Sequence, residues 1–443
     1  MERSRSAEVF AHSRERIPGG CVSINRRVDP EIAFVRGSGA YLWDADGNRF
    51  IDYHAAFAPF LLGHSNSHVD TAVRAALEQG WPLSGSGTAP WEGRAAELLC
   101  RCVPSLDLVR FTTTGSEATY HALRLARAYT GRTDIIVMQG GYNGYHDEVA
   151  CNVMSSLAAI GPRVAGGEYP FVPLTAGVAP SVGKHVHVVG FNDLAAIETL
   201  VRTGKIACLL SEPILQNIGV VKPEPGYWQA VRELCSMQGV VLALDEVKTG
   251  FRHALGGYQS ILGITPDLTI FGKAIANGYP LGAIGGKKEI MSLFDAPDAA
   301  KRVLIAGTYN GHPLVMAAAI AVMELLLEQG GVIYGHLERL GNEMEIGLTT
   351  LIRKFGIEAV VARQGSAFCM YFMDHAPVDW HDIAANHDME RDVKYRRNLI
   401  EHGIYHFPLA TKQGSISFAH TDDDIAATLR ETERVLSEER IAK

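Results

Sequence analysis

Between Leu268 and Gly286 the chain reads LTIFGKAIANGYPLGAIGG, and Lys273 is its one charged residue. A surface lysine runs its stem over apolar neighbours and keeps its ammonium in water. Here the neighbours are small and apolar. Burial among them disfavours the ammonium and lowers its pKa, which an imine-forming or proton-moving lysine requires. Two other stretches carry chemistry. Asp245 and Glu246 follow the apolar run VVLAL; an acidic pair there suits metal ligation, general base work or a solvated loop. Thr114-Gly115-Ser116-Glu117 follows VRFTT and opens a helical pattern. A glycine for close approach, a hydroxyl and the free N–H groups of a helix start make a phosphate site, and the same residues also make a plain N-cap.

These three stretches need elements to position them. VRFTTTG (109–115), IIVMQGG (135–141), IACLLSEP (206–213), VVLALDEV (240–247) and LTIFG (268–272) read as strands, apolar almost throughout, as strands buried on both faces are. Helical periodicity falls on VDTAVRAALEQG, EGRAAELLCRCV, EATYHALRLARAYTG and GYWQAVRELCSMQG. Strands alternating with helices predict a mostly parallel α/β sheet. AYLWDADGNRFIDYH (40–54) predicts a hairpin around Asp46-Gly47. Residues 150–190 show no clear period and predict a long loop, a lid or binding loop. A long helix begins at PLVMAAAIAVMELLLEQG, and an α+β pattern follows. The expected organisation is an N-terminal segment, 1–67, that contributes to a small domain and the active site; a large domain, 68–312; and a C-terminal small domain, 313–443.

In an open α/β sheet, ligands bind beyond the carboxyl ends of the strands, where all three stretches fall. Together they supply phosphate donors, a carboxylate and a buried lysine, which pyridoxal 5'-phosphate needs. The lysine forms the imine, the acid keeps the pyridine nitrogen protonated, and the loop holds the phosphate. Tyr142, after IIVMQGG, is placed to stack on the ring.

The chain also resembles the class III (ornithine/GABA-type) aminotransferases of PLP fold type I. Within them it is most similar to glutamate-1-semialdehyde 2,1-aminomutase and related transaminases. The resemblance rests on IPGGCVSINRR (17–27), GAYLWDADGNRFIDY (39–53), FTTTGSEATYHALRLARAYTGR (111–132), GGYNGYHD (140–147), SEPILQNIGVVKP (211–223), LALDEVKTGFR (242–252), PDLTIFGKAIANGYPLGAIGG (266–286), GTYNGHP (307–313) and SFAHTDDDI (417–425). It implies an α/β large domain with a mostly parallel central sheet and a smaller α+β domain. It implies a homodimer with active sites at the subunit interface, acting on a small-molecule amine or amino acid and a keto acid. Lys273 would carry the cofactor and shuttle the proton. Asp245 would pair with the pyridine nitrogen, Val247 would pack under the ring and Tyr142 would stack on it. Gly115 and Ser116 would hold the phosphate, Asn217 would lie near the phenolic oxygen, and Thr308 would reach the phosphate of the other subunit. Ser23 and Arg26 match positions that contact substrate in the aminomutase.

The departures fall mainly on the substrate side. Lys412 stands where the aminomutase pattern has a glutamate, and Phe57 where it has a tryptophan. Ser116 replaces the more usual threonine, and Tyr142-Asn143-Gly144 replaces Tyr-His-Gly. The expected activity is therefore amino transfer between an amine or amino acid, such as a β-amino acid or a natural-product intermediate, and a keto acid or aldehyde. Pyridoxamine 5'-phosphate would be the intermediate cofactor form. Intramolecular transfer of the aminomutase type is the alternative, with 150–182 as its lid.

Composition excludes several other classes. The 443 residues are 47% apolar and 20% charged, with net charge -8 and no long run of one sign. No nucleic-acid footprint or polybasic membrane patch is present. The start, MERSRSAEVF, lacks the apolar core of a secretion signal, and no stretch reads as a membrane span. Seven scattered cysteines match no zinc or redox motif, and a reducing, cytoplasmic setting is expected. His64 and His68 lie i, i+4 without a third ligand, so no metal is expected. GVAPSVGKH (177–185) is too long for a phosphate-binding P-loop and lacks the hydroxyl after its lysine.

Overall fold

A computed structural model describes residues 1–441. The chain forms two compact units. One comprises Met1–Asn66, Gly335–Ala376 and His387–Lys443; the other comprises Ser67–Tyr334 and Pro377–Asn386. The 43-residue helix Pro313–Phe355 belongs in part to each. Its apolar pattern continues past Gly330-Gly331, well beyond the stretch that announces it in the sequence. By length and composition it is apolar enough to cross a bilayer, contrary to the expectation above. Val315, Met316, Ala318, Val322, Met323 and Leu326 are nevertheless buried, as in a core helix.

In the first unit, after a helix at Ser4–Arg14, come β1 (Phe34–Ser38), β2 (Tyr41–Asp44) and β3 (Arg49–Asp52), an antiparallel meander. The Asp44 carboxylate accepts the amides of Asp46 (3.0 Å) and Asn48 (2.7 Å), which fixes the hairpin turn. The sequence showed β2 and β3 but not β1.

The second unit holds the large sheet: β4 (Leu108–Thr112), β5 (Asp134–Met138), β6 (Val186–Val189), β7 (Ile206–Ser211), β8 (Val241–Asp245), β9 (Leu268–Gly272) and β10 (Gly282–Gly286). Their order is β4-β10-β9-β8-β7-β5-β6. β9, β8, β7, β5 and β6 run parallel, and β10 is antiparallel to both β4 and β9. Every residue of β5, β7, β8, β9 and β10 is buried. Two of these strands escaped the sequence reading. β10 reads GAIGG, in which Ile284 is the one branched side chain that would mark a strand. Its glycines are forced by close approach: a Cβ on Gly282 would meet the Thr114 carbonyl oxygen at 2.2 Å. β6 falls at the end of the segment expected to be loop, and it pairs with β5.

Four strands close the chain in the first unit: β11 (Val360–Gln364), β12 (Ala367–Tyr371), β13 (Ile404–Tyr405) and β14 (Gly414–Ser415). β11, β12 and β14 form an antiparallel sheet, while β13 joins β3 in parallel.

Candidate active site

The carboxyl ends of neighbouring strands in the large sheet bring the sequence candidates together. Lys273 follows β9, Asp245 ends β8, Glu212 follows β7, Tyr142-Asn143 follow β5, and Gly115-Ser116 follow β4. Lys273 sits at φ 49°, a backbone conformation uncommon for a residue with a Cβ and one that concentrates at functional sites. Burial lowers its pKa from the usual lysine value; the negative charges of Asp245 and Glu212 oppose this, and Arg252 adds to it. The amine is thus shifted towards its neutral, proton-accepting form.

Asp245 is 3% exposed. Asn143 Nδ2 donates to its Oδ2 at 2.8 Å, and the Val247 amide donates to its Oδ1 at 3.0 Å. Burial raises its pKa to about 6, and Glu212 adds to the rise against Asn143, Val247 and Lys273. A buried acid held this way is matched to a cationic N–H partner. Asn143 is itself fixed, because its carbonyl accepts the Thr119 hydroxyl at 2.7 Å.

Gly115 opens the helix Gly115–Thr130. Thr114 and Glu117 form a reciprocal capping box: Glu117 takes the Thr113 and Thr114 amides, and the Thr114 hydroxyl takes the Glu117 amide. Among the described residues nothing takes the amides of Gly115 and Ser116, which leaves two donors at a helix N-terminus for an anion. The Ser116 hydroxyl accepts the Tyr145 amide at 3.3 Å. A Cβ on Gly115 would lie 2.7 Å from Val247 Cγ2, and one on Gly272 would lie 3.2 Å from Val247 Cγ1. Both glycines therefore let Val247 pack against the turns that carry the lysine and the amide donors.

Glu212 has no role in the sequence reading, yet it organises two predicted residues. Its Oε1 accepts the Tyr142 amide (3.0 Å) and Asn217 Nδ2 (3.3 Å), and its Oε2 accepts the Gln216 amide (3.0 Å). Asn143 was likewise missed as the partner of Asp245. Both stand beside singled-out residues within GGYNGYHD and SEPILQNIG, where a polar residue next to a strand end was the available signal. Tyr142 is partly buried, and burial, then Asp245, raises its phenol pKa. Thr308 lies exposed on the loop before helix Pro313–Phe355.

The remaining candidates lie in the other unit. Ser23 precedes the short turn Ile24–Arg26. Arg26 is exposed and makes no ion pair among the described residues; Phe57 and Lys412 are partly buried. Arg26 and Phe57 line one cavity of about 370 Å³, whose lining does not include Ser23 or Lys412. His64 and His68 do not share a helix. His64 Nε2 meets Asp52 at 2.7 Å, and His68 Nε2 meets the Ala321 carbonyl at 3.2 Å.

The residues at the strand ends fit pyridoxal phosphate. They provide a lysine of lowered pKa, a buried acid for the ring nitrogen, free amides at a helix start for the phosphate, and Val247 and Tyr142 for the ring. The comparisons agree. The class-III aminotransferase pattern matches residues 23–412. Glutamate-1-semialdehyde 2,1-aminomutase of Geotalea daltonii is 37% identical over 440 residues, 98% of this chain and 99% of that one. An omega-transaminase from Sphaerobacter thermophilus superposes with TM-score 0.90 at 31% identity, over 99% of this chain and 98% of that one. A beta-phenylalanine aminotransferase from Variovorax paradoxus gives 0.84 at 29%, over 98% and 94%. The chain belongs to the class-III, pyridoxal-phosphate-dependent aminotransferases.

Proposed function

We propose that this enzyme transfers an amino group in two half-reactions, from an amine or amino acid to a separate keto acid or aldehyde. A β-amino acid or a natural-product amine is the favoured donor. The observation that carries the reading is Lys412, a cation where the aminomutase pattern has a glutamate, together with Phe57 in place of tryptophan. The cofactor side retains its donors while the substrate side has changed. Bound pyridoxal phosphate supplies the electron sink for removing a proton from the amine-bearing carbon. Lys273 Nζ takes that proton and returns it, aided by the lowered pKa that burial gives it. Asp245 holds the proton on the ring nitrogen, and Asn143 and the Val247 amide keep its carboxylate oriented. Gly115 and Ser116 would hold the phosphate, Tyr142 and Val247 would pack on the ring, and Asn217 would lie near its phenolic oxygen. Ser23, Arg26, Phe57 and Lys412 face substrate, and a guanidinium at Arg26 suits a carboxylate. The active form is a cytoplasmic homodimer in which Thr308 serves the neighbouring subunit's phosphate.

Intramolecular transfer, with 150–182 as a lid, is the second reading. The 37% identity to glutamate-1-semialdehyde 2,1-aminomutases favours it. One experiment separates the two: turnover of purified enzyme with an amino donor, with and without an added acceptor. Amino transfer requires the acceptor; multiple turnovers without one overturn it. In the same assay Lys273→Ala abolishes turnover and the visible absorbance of the covalently held cofactor.

A further inference from the structure

The cavity of about 370 Å³ in the first unit is of ligand size; Phe10, Phe34, His54, Phe57, Tyr405 and Phe407 line part of it, beside the charged groups of Arg26, Glu31 and Asp52. Three of these rings form one cluster. His54 stacks on Phe407 with centroids 4.4 Å apart, Phe57 meets Phe407 at 5.1 Å, and His54 meets Phe57 edge-on at 4.3 Å.

Two of the three rings stand on a strained turn. Ala55, Ala56, Phe57 and Ala58 have φ of 45°, 51°, 69° and 77°, four successive non-glycine residues in the left-handed region. L-residues there cost roughly 1–2 kcal/mol each, so the surroundings must impose this conformation. Asp52 is the group positioned to do so. It is 2% exposed, and its Oδ1 accepts the amides of His54 (2.8 Å) and Ala55 (3.0 Å). Its Oδ2 meets His64 Nε2 at 2.7 Å. Within the turn, the His54 carbonyl accepts the Phe57 amide at 3.1 Å, and the Ala55 carbonyl accepts that of Ala58 at 2.9 Å. One carboxylate thus holds the entry to the turn, and one imidazole holds the carboxylate.

We propose that Asp52 and His64 are positioning residues that lock the left-handed turn 54–58, and that the aromatic wall so fixed selects substrates whose side group is an apolar ring. This rests on the reading above that Phe57 faces substrate. Rings packed against rings gain from offset and edge-on contacts that a short aliphatic group cannot make.

The test uses the cofactor-loaded enzyme and two amino donors with the same amine-to-carboxylate spacing, 3-amino-3-phenylpropanoate and 3-aminobutanoate. A third probe, 3-phenylpropanoate, has no amine, and its Kd is read by calorimetry independently of turnover. Asp52→Ala, which removes the acceptor of both amides, is expected to lower the phenyl-to-methyl ratio of kcat/KM about tenfold, mostly through KM, and to raise the Kd of 3-phenylpropanoate by about as much, with cofactor absorbance unchanged. His64→Gln shifts both in the same direction, and it decides the matter if Asp52→Ala does not fold. Phe57→Ala is the control for the underlying reading. If it changes neither the ratio nor the Kd, Phe57 does not face substrate and the proposal falls with that reading. If Phe57→Ala lowers the ratio while Asp52→Ala and His64→Gln leave it intact, or lower both donors equally, the positioning claim alone is overturned.

Discussion

Asp245→Asn isolates the electrostatics of the site in the cofactor-free protein. The carboxyl is buried, and its pKa rises from 3.8 to about 6, chiefly because burial penalises the charge and Glu212 adds to it. The folded value lies above the unfolded one, so the protonated form is favoured by folding. The contribution of Asp245 is fully present below about pH 4 and is lost as pH rises through 6, levelling off above. The difference amounts to about 3 kcal/mol. Asparagine keeps an oxygen for Asn143 or the Val247 amide and does not titrate. Urea unfolding of cofactor-free wild-type and Asp245→Asn proteins should therefore give curves of stability against pH that separate between pH 4 and 6, the variant gaining up to about 3 kcal/mol on the wild type. With cofactor bound the sign reverses, because the protonated ring nitrogen now favours the carboxylate and the variant loses that pairing. Parallel curves for the two cofactor-free proteins across pH 4 to 7 would refute the argument.

Gly115→Ala places a methyl 2.7 Å from Val247. Overpacking of about 1–3 kcal/mol should weaken pyridoxal phosphate binding roughly 5- to 150-fold in a fluorescence titration, with the fold retained by circular dichroism. Asn143→Ala leaves a buried oxygen of Asp245 without its donor. The expected loss is about 1–3 kcal/mol in thermal or urea unfolding, and an unchanged midpoint would show that the bond is not formed. Ala58→Gly, at φ 77°, should stabilise by up to about 1 kcal/mol, since relief of left-handed strain exceeds the backbone entropy that glycine adds. A lowered melting temperature would contradict strain at that turn.

The parallel strands and the buried lysine that follows β9 were legible because their signals are local. LTIFGK and VVLALD are apolar runs ending in a charge, and a charge at the end of a buried strand marks a sheet edge. β10 was not legible, since GAIGG owes its glycines to the Thr114 and Asp267 carbonyls and the Thr112 hydroxyl pressing against it, a constraint that no window of sequence contains. β6 was hidden by the irregular segment before it, and β1 by its polar composition, FVRGS. At the site, Lys273 and Asp245 could be named, but Glu212 could not. Its role is to hold Tyr142 and Asn217, which come from two different loops. The left-handed turn was invisible for a related reason: HAAFA contains no glycine, and its conformation is imposed by a carboxylate that precedes it and an imidazole that follows.

The pairing of β13 with β3 sets an order of events during synthesis. On the edge of β3 away from β2, Ile51 and Asp52 pair with Ile404 and Tyr405, about 350 residues later. At typical ribosomal rates of roughly 5–20 residues per second, the first meander waits roughly 20–70 seconds with one edge unpaired. The large sheet, whose strands all lie between 108 and 286, has every partner available much earlier. The part of the chain translated first is therefore among the last to be completed. A nascent chain stalled before residue 400 should carry a folded large sheet and an unfinished N-terminal segment, the stretch on which a holding chaperone would be needed.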